Sequence, residues 1–468
     1  MSTFSSKDIP RREFINRVAG IAAVTALGAS THAQSPRKPN VVYVFSDEHR
    51  WQSMGCSEMP QLHTPVMDRM AKEGATFTHC ISNYPVCSPY RAMLMTGRWP
   101  YQNRIIDNGI ALNDSLPTIG KTFQAAGYTT GYIGKWHLGG VRAESFGFDT
   151  SLIWTDESNH WDQGKYHPRK GTPVQPKGYN ATLMTDQALQ FIQENKEHPF
   201  FLMLSLHPPH SNFLDPPPEK KALYPEGALP WRGNVPEEIQ KGKGDDSKIW
   251  GKNTWPYYQG YHAHISAIDD ELGRLLKTLS ELGLDENTIV IYTSDHGSMM
   301  GSHGLGGKRQ PYDESIRVPF LAHGPRIIPA GTRSDALFGA IDILPTVCGL
   351  AGLSAPPGCS GQDFSPWLTG KTGPAPEAQL IMHISKENAS GGEKHPAPLF
   401  RGLRTPRYTY AVCPDKPWLL FDTQEDPLQL KNLIDDPALS NVRKDLHTQL
   451  INTLKKAEDP FTVPSALA

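Results

Sequence analysis

Val41-Val42-Tyr43-Val44-Phe45 is an unbroken run of β-branched and aromatic residues. A strand with one wet face alternates apolar and polar side chains. A run without alternation has both faces covered, the condition of a parallel sheet sandwiched by helices. Similar runs recur at Thr129 to Ile133, Phe200 to Leu206, Ile289 to Thr293 and Val318 to Ala322. Between them lie helical patterns: Thr64 to Gly74, with Pro65 at its first position and Gly74 as its stop, Thr118 to Gly127, Asn180 to Glu197, and a long amphipathic stretch from Tyr257 to Leu282. This alternation predicts an α/β fold, a large mostly parallel sheet sandwiched by helices. With 468 residues and 38% hydrophobic content the chain can bury a sizeable core, as one large domain and a smaller one. From about residue 376 the pattern changes to short strands, Leu380 to Ile384, Tyr408 to Val412 and Trp418 to Phe421, then a polar helix from Ala438 to Ala457. The expected division is residues 38–375 for the α/β domain and 376–468 for a C-terminal antiparallel sheet plus helix.

The N-terminus has the grammar of an export signal. Arg11-Arg12-Glu13-Phe14 precedes an apolar run from Val18 to Ala29, then Thr31-His32-Ala33, a small-X-small end before Gln34. A dozen apolar residues are too few to span a bilayer, so residues 1–33 are expected to be a cleavable signal and not a transmembrane anchor. The paired arginines resemble a twin-arginine signal, which implies the twin-arginine export machinery as a partner and a periplasmic or secreted location. The 46 basic and 48 acidic residues nearly cancel, which gives no basic face for nucleic acid. Six scattered Cys do not make a disulfide framework. Cys348 and Cys359 are close enough in sequence to bridge, and free thiols are equally compatible with the spacing.

Polar residues cluster just past the carboxyl ends of the expected strands, where open α/β sheets bind ligands. Asp47 and Glu48 follow the first, Lys135-Trp136-His137 the next, His210 the Phe200 strand, and Asp295-His296 the Ile289 strand. The carboxylates with His296 form a hard, oxygen-rich set suited to a divalent cation such as Ca2+. Cys87-Ser88-Pro89-Tyr90-Arg91 opens another helix, with Ser88 as N-cap, Pro89 as first helical residue and Gly97 as stop. Free N–H groups and the positive dipole end then favour an anion near residue 87, and Arg91 adds a fixed charge one turn on.

Cys87-Ser88-Pro89-Tyr90-Arg91, followed by Leu94-Met95-Thr96-Gly97-Arg98, resembles the Cys-X-Pro-X-Arg motif of the type I sulfatases of the alkaline phosphatase superfamily. Gly134-Lys135-Trp136-His137 and Gly307-Lys308-Arg309-Gln310 resemble two further segments of that family, and Asp342-Ile343-Leu344-Pro345-Thr346 a fourth. The resemblance implies that a maturation enzyme oxidises Cys87 to formylglycine, whose hydrate attacks sulfur. It implies that Lys135 and Lys308 bind and polarise the ester, and that His210 protonates the leaving alkoxide or binds sulfate. It assigns His137 to the proton transfer that expels sulfate, and Asp47, Glu48, Asp295, His296 and residue 87 to the cation. Glu48 departs from the family pattern, which has Asp there. A sulfated carbohydrate is the first substrate expected and an aryl sulfate the second. A phosphate or phosphonate monoester hydrolase and a non-catalytic binder of sulfated glycans remain as alternatives. Two segments, Trp154 to Pro168 and Pro208 to Pro236, are expected as long loops at a pocket mouth, where Trp161 or Trp231 can stack on a ring or pack inside.

Overall fold

A computed structural model describes residues 38–140, 142–155, 159–162, 164–170, 172–175, 177–242, 254–385 and 397–464. The expected export signal lies outside the described residues. Among the described residues the main sheet has nine strands, in the spatial order Thr332–Ser334, Ala75–Phe77, Phe320–His323, Thr288–Ser294, Asn40–Asp47, Phe200–Pro209, Thr129–Lys135, Thr150–Thr155 and Lys165–Pro168. Its centre is parallel: Asn40–Asp47 pairs with Phe200–Pro209 on one side and Thr288–Ser294 on the other, and Thr129–Lys135 pairs with Phe200–Pro209. Antiparallel partners appear only toward the edges, at Phe320–His323 and Lys165–Pro168.

The unbroken apolar run behaves as its composition requires. Val41, Tyr43 and Phe45 enter one core with Met93 and Leu94 of the Cys87–Thr96 helix, Phe123 of Ile119–Ala125 and Val347 of Ile343–Leu350. Val42 and Val44 enter the opposite core with Met70 of Pro65–Glu73, Phe191 of Asn180–Asn195 and Leu272 of Thr254–Glu281. Successive side chains on a strand point to opposite faces, so two covered faces demand apolar residues at every position. Among the described residues no helix is long and apolar enough to cross a membrane, and all six cysteines are free thiols.

Three expectations are corrected. The run Val318 to Ala322 is two strands, Arg317–Val318 in a small three-stranded sheet and Phe320–His323 in the main one. Pro319, with no N–H to donate to a ladder, marks the change of sheet. Trp154 to Pro168 is not one long loop, because Thr150–Thr155 and Lys165–Pro168 extend the sheet edge. Its polar composition hid an edge hairpin whose apolar members, Ile153, Trp154 and Tyr166, are buried. The C-terminal antiparallel sheet has a fourth strand, Phe400–Arg404, between Gln379–His383 and Tyr408–Val412, before Pro417–Asp422 and the Ser440–Lys456 helix. Its sequence masks it, because two of its five residues are arginines. Both are buried on carboxylates, Arg401 on Asp459 at 2.5 Å and Arg404 on Asp313 at 3.0 Å.

Candidate active site

The carboxyl ends of the central strands gather the chemistry. Asp47 ends its strand level with Pro209 of the neighbouring one, Ser46 pairs with Ser294, and Lys135 ends the Thr129–Lys135 strand. Asp295 follows Ser294 directly, so Asp47, Lys135 and Asp295 reach one place from three strands.

The helix carrying residue 87 runs from Cys87 to Thr96 and stops at Gly97 (φ 62°), whose N–H bonds the Met93 carbonyl at 2.7 Å. Its N-cap is Val86 and not Ser88. Ser88 lies in the first turn and donates its hydroxyl to the His137 carbonyl at 2.5 Å, while Asn108 accepts its N–H at 3.0 Å. The hydroxyl thus ties the helix to the loop that carries His137. Cys87 Sγ lies 3.3 Å from His296 Nε2, 3.4 Å from Lys308 Nζ and 3.8 Å from Asp47 Oδ1. Burial and the Asp47 carboxylate push its thiol up, but Lys308, Lys135 and His296 outweigh them and hold it well below the ordinary range.

Arg91 turns inward. Its Nη1 donates to the Lys135 carbonyl and Ser205 Oγ, both at 2.7 Å, and its Nη2 lies 3.2 Å from Asp47 Oδ2 and 3.1 Å from Asp295 Oδ2. At 1% exposure its charge is spent on the two carboxylates and the strand ends, not on an open anion face. Lys135 Nζ sits 2.7 Å from Asp47 Oδ2. Burial alone would raise Asp47, but Lys135, His210, Lys308 and Arg91 together keep it well below the usual carboxylate range. Asp295, raised by burial and by its neighbour Asp47, stands at about 6. Burial would lower His296; Asp295 and Cys87 outweigh it and hold the imidazole at about 8.

Asp47, Cys87, Asp295 and His296 each offer one ligand atom, all within 4.8 Å of one another. Two buried carboxylates of like charge with an imidazole beside them are a donor set that a divalent cation relieves, so the residues fit a metal. Glu48 has another geometry. Its backbone is left-handed (φ 72°), its N–H bonds Asp295 Oδ1 at 3.2 Å, and its Oε1 lies 2.5 Å from Lys308 Nζ and 3.5 Å from His210 Nε2. It groups with Asp47 and His210 instead of with the quartet. His137 (φ 54°) and Arg309 (φ 72°), next to Lys308, also hold left-handed backbone. Such conformations cost about 1–3 kcal/mol each in a non-glycine residue and persist where surrounding contacts enforce them.

Sequence reasoning left His207 and His264 without a role and did not raise His160 or Asp215. The His207 ring stands 5.0 Å from that of His210 and 4.8 Å from that of His160, and His160 Nδ1 bonds Asp215 Oδ1 at 2.7 Å. The spacing His207-Pro208-Pro209-His210 was a visible hint. His160 and Asp215 are far from it in sequence and carried no motif.

The chain matches the Sulfatase family over residues 39–353 and the C-terminal domain described as "N-sulphoglucosamine sulphohydrolase, C-terminal" over residues 301–456. It is 33% identical to an ulvan-active sulfatase of Formosa agariphila, over 91% of this chain and 83% of that one. It is 28% identical to an N-acetylglucosamine-6-O-sulfatase of Bacteroides thetaiotaomicron, over 92% and 89%. A solved structure holding its substrate D-glucosamine-2-N,6-O-disulfate superposes with a TM-score of 0.81 at 25% identity, covering 91% of this chain and 99% of that one. With the family model matching most of its length, a relative at 33% identity and the fold shared, the chain belongs to the sulfatase family of the alkaline phosphatase superfamily and is a sulfuric ester hydrolase.

Proposed function

We propose that this sulfatase hydrolyses sulfate esters of carbohydrate, with residue 87 matured to formylglycine and a Ca2+ ion held by Asp47, Asp295, His296 and residue 87. The observation that carries this reading is the Cys87 sulfur at a buried helix N-terminus, within 3.8 Å of Lys308, His296 and Asp47. The sulfatase family in general uses a metal ion and a formylglycine. The activities of the Formosa and Bacteroides relatives support a sulfated saccharide as the substrate class.

Once formed, the formylglycine supplies a hydrated aldehyde whose hydroxyl is the nucleophile toward sulfur. The cation, when bound, supplies positive charge for the sulfate oxygens. The remaining work falls to the chain's own side chains. Lys308, 3.4 Å from the residue 87 sulfur, sets a fixed positive charge beside the reacting group, and Lys135 adds a second on the far side of Asp47. Arg91 holds Asp47 and Asp295 at a fixed separation and so positions them for the ion. His210 places Nδ1 against the Ser211 carbonyl at 3.0 Å, so its Nε2 faces Glu48 at 3.5 Å and, in the protonated ring, is the atom able to protonate the departing alkoxide. His137, bound to Ser88 through its carbonyl, takes the proton that allows sulfate to leave. Export through a twin-arginine signal at Arg11-Arg12 accompanies this reading, and replacement of both arginines by lysine should retain the protein in the cytoplasm.

The test is the mass of the peptide containing residue 87 from native-host protein, joined to sulfate release from sulfated sugars. Maturation lowers the mass by about 18 Da. Cys87→Ala should abolish turnover with an unchanged melting temperature. A thiol at residue 87 in fully active enzyme, or phosphate release outpacing sulfate release from matched esters, would overturn the proposal.

A further inference from the structure

Trp161 is the only described tryptophan that is exposed, at 37%. An exposed indole usually swings on a mobile stem, but this one is fixed from three sides. Its Nε1 donates to the Asp215 carbonyl at 2.8 Å, its ring lies 5.4 Å from that of Tyr179, and its backbone bridges Tyr179. The loop beneath it is pinned as firmly. Asp215 accepts from the His160 ring at 2.7 Å and from the His160 N–H at 2.9 Å, and the Asn180 N–H donates to the His160 carbonyl at 2.8 Å. Trp231, the other aromatic weighed from sequence, is spent on packing, with its ring 4.0 Å from that of Tyr258.

The anchored indole is also tied to the reacting centre. From His160, its neighbour in the chain, two ring contacts of 4.8 and 5.0 Å lead through His207 to His210, and His210 faces Glu48 at 3.5 Å. Asp215 itself lies five residues beyond His210, and Leu214 beside it is a further exposed apolar side chain at 39%. Through His160 and His207, Trp161 is thus linked to His210, the residue assigned above to the leaving alcohol. A rigid aromatic face there suits the apolar C–H face of a sugar ring, because the indole gives large contact area with little rotamer freedom left to lose.

We propose that, given the sulfated-carbohydrate substrate put forward above, Trp161 is the stacking platform for a sugar ring of the leaving group, pre-oriented by the Asp215 carbonyl and Tyr179. It is a specificity residue, outside the bond-breaking chemistry. Binding is measured first, by calorimetry on full-length Cys87→Ser protein with a panel of monosulfated hexosamine, galactose and uronic acid saccharides. Trp161→Ala should weaken the tightest of these about tenfold, while Trp161→Phe stays within about threefold. In matured enzyme Trp161→Ala should raise KM for that saccharide by the same factor with kcat nearly unchanged, and leave kcat/KM for an acyclic alkyl sulfate untouched. Binding within twofold of the parent in Trp161→Ala, equal losses in both variants with a lower melting temperature, or no saccharide binding at all would each overturn the assignment. Trp161-dependent saccharide binding in a protein that releases no sulfate from any ester would uphold the platform and overturn the catalytic reading instead.

Discussion

Arg91→Met separates two roles for this buried guanidinium. If the charge serves the carboxylates, its removal leaves Asp295 with only the His296 ring, 3.5 Å away, while Asp47 keeps Lys135 at 2.7 Å. Breaking one side of a buried pair costs about 3–5 kcal/mol, and the surviving Lys135 contact places this case near the lower end. Unfolding entropy for a chain of this size is about 1 kcal/mol/K, from about 2.1 cal/mol/K per residue, so the melting temperature should fall by about 3 °C. Arg91→Lys keeps the charge, but a single ammonium cannot span Asp47, Asp295, the Lys135 carbonyl and Ser205, and about half the loss is expected. Differential scanning calorimetry in chelator measures both, since a bound cation would mask part of the effect. A melting temperature within 1 °C of the parent for Arg91→Met, with only KM raised, would refute the reasoning and return Arg91 to direct anion binding.

The other expectations concern neighbouring features. Chelation should lower the melting temperature and Ca2+ restore it, by about 2.7 kcal/mol at a hundredfold excess over Kd, and Asp295→Asn should abolish that increment in the same calorimeter. Gly134 holds φ 108°, and a Cβ there would lie 2.0 Å from the Ser205 carbonyl oxygen. Gly134→Ala should therefore cost about 3 kcal/mol or more in denaturant melts and depress activity further by displacing Lys135. Burial would raise Asp313, but Arg404 at 3.0 and 3.2 Å holds its carboxyl well below the usual range. A depressed carboxylate contributes stability that is present above its unfolded value, near 4, and lost as pH falls through its folded value. Asp313→Asn should accordingly lower stability by about 2–3 kcal/mol at pH 7 and flatten the loss below pH 4 in acid titrations; an unchanged acid limb would contradict this.

The central fold was legible because strands buried on both faces need apolar residues at every position, and Val41 to Phe45 can satisfy little else. Once those strands are parallel, their carboxyl ends must gather Asp47, Lys135 and Asp295, so most of the site followed from position along the chain. Cys87, Lys135 and Lys308 were legible for another reason: short contiguous motifs carry their chemistry locally. Long-range pairing was not legible. Arg91 reads as an anion clamp from its spacing to Cys87, and only the fold shows its charge taken up by carboxylates from two other strands. Glu48 follows Asp47 directly, yet its left-handed backbone sends it to Lys308, distant in sequence. The strand Phe400–Arg404 was hidden because the carboxylates that make its arginines buriable, Asp313 and Asp459, lie on other segments. Composition and periodicity determine which residues must leave water; which charge meets which, and which exposed ring is held still, is decided only when distant segments are brought within a few ångströms.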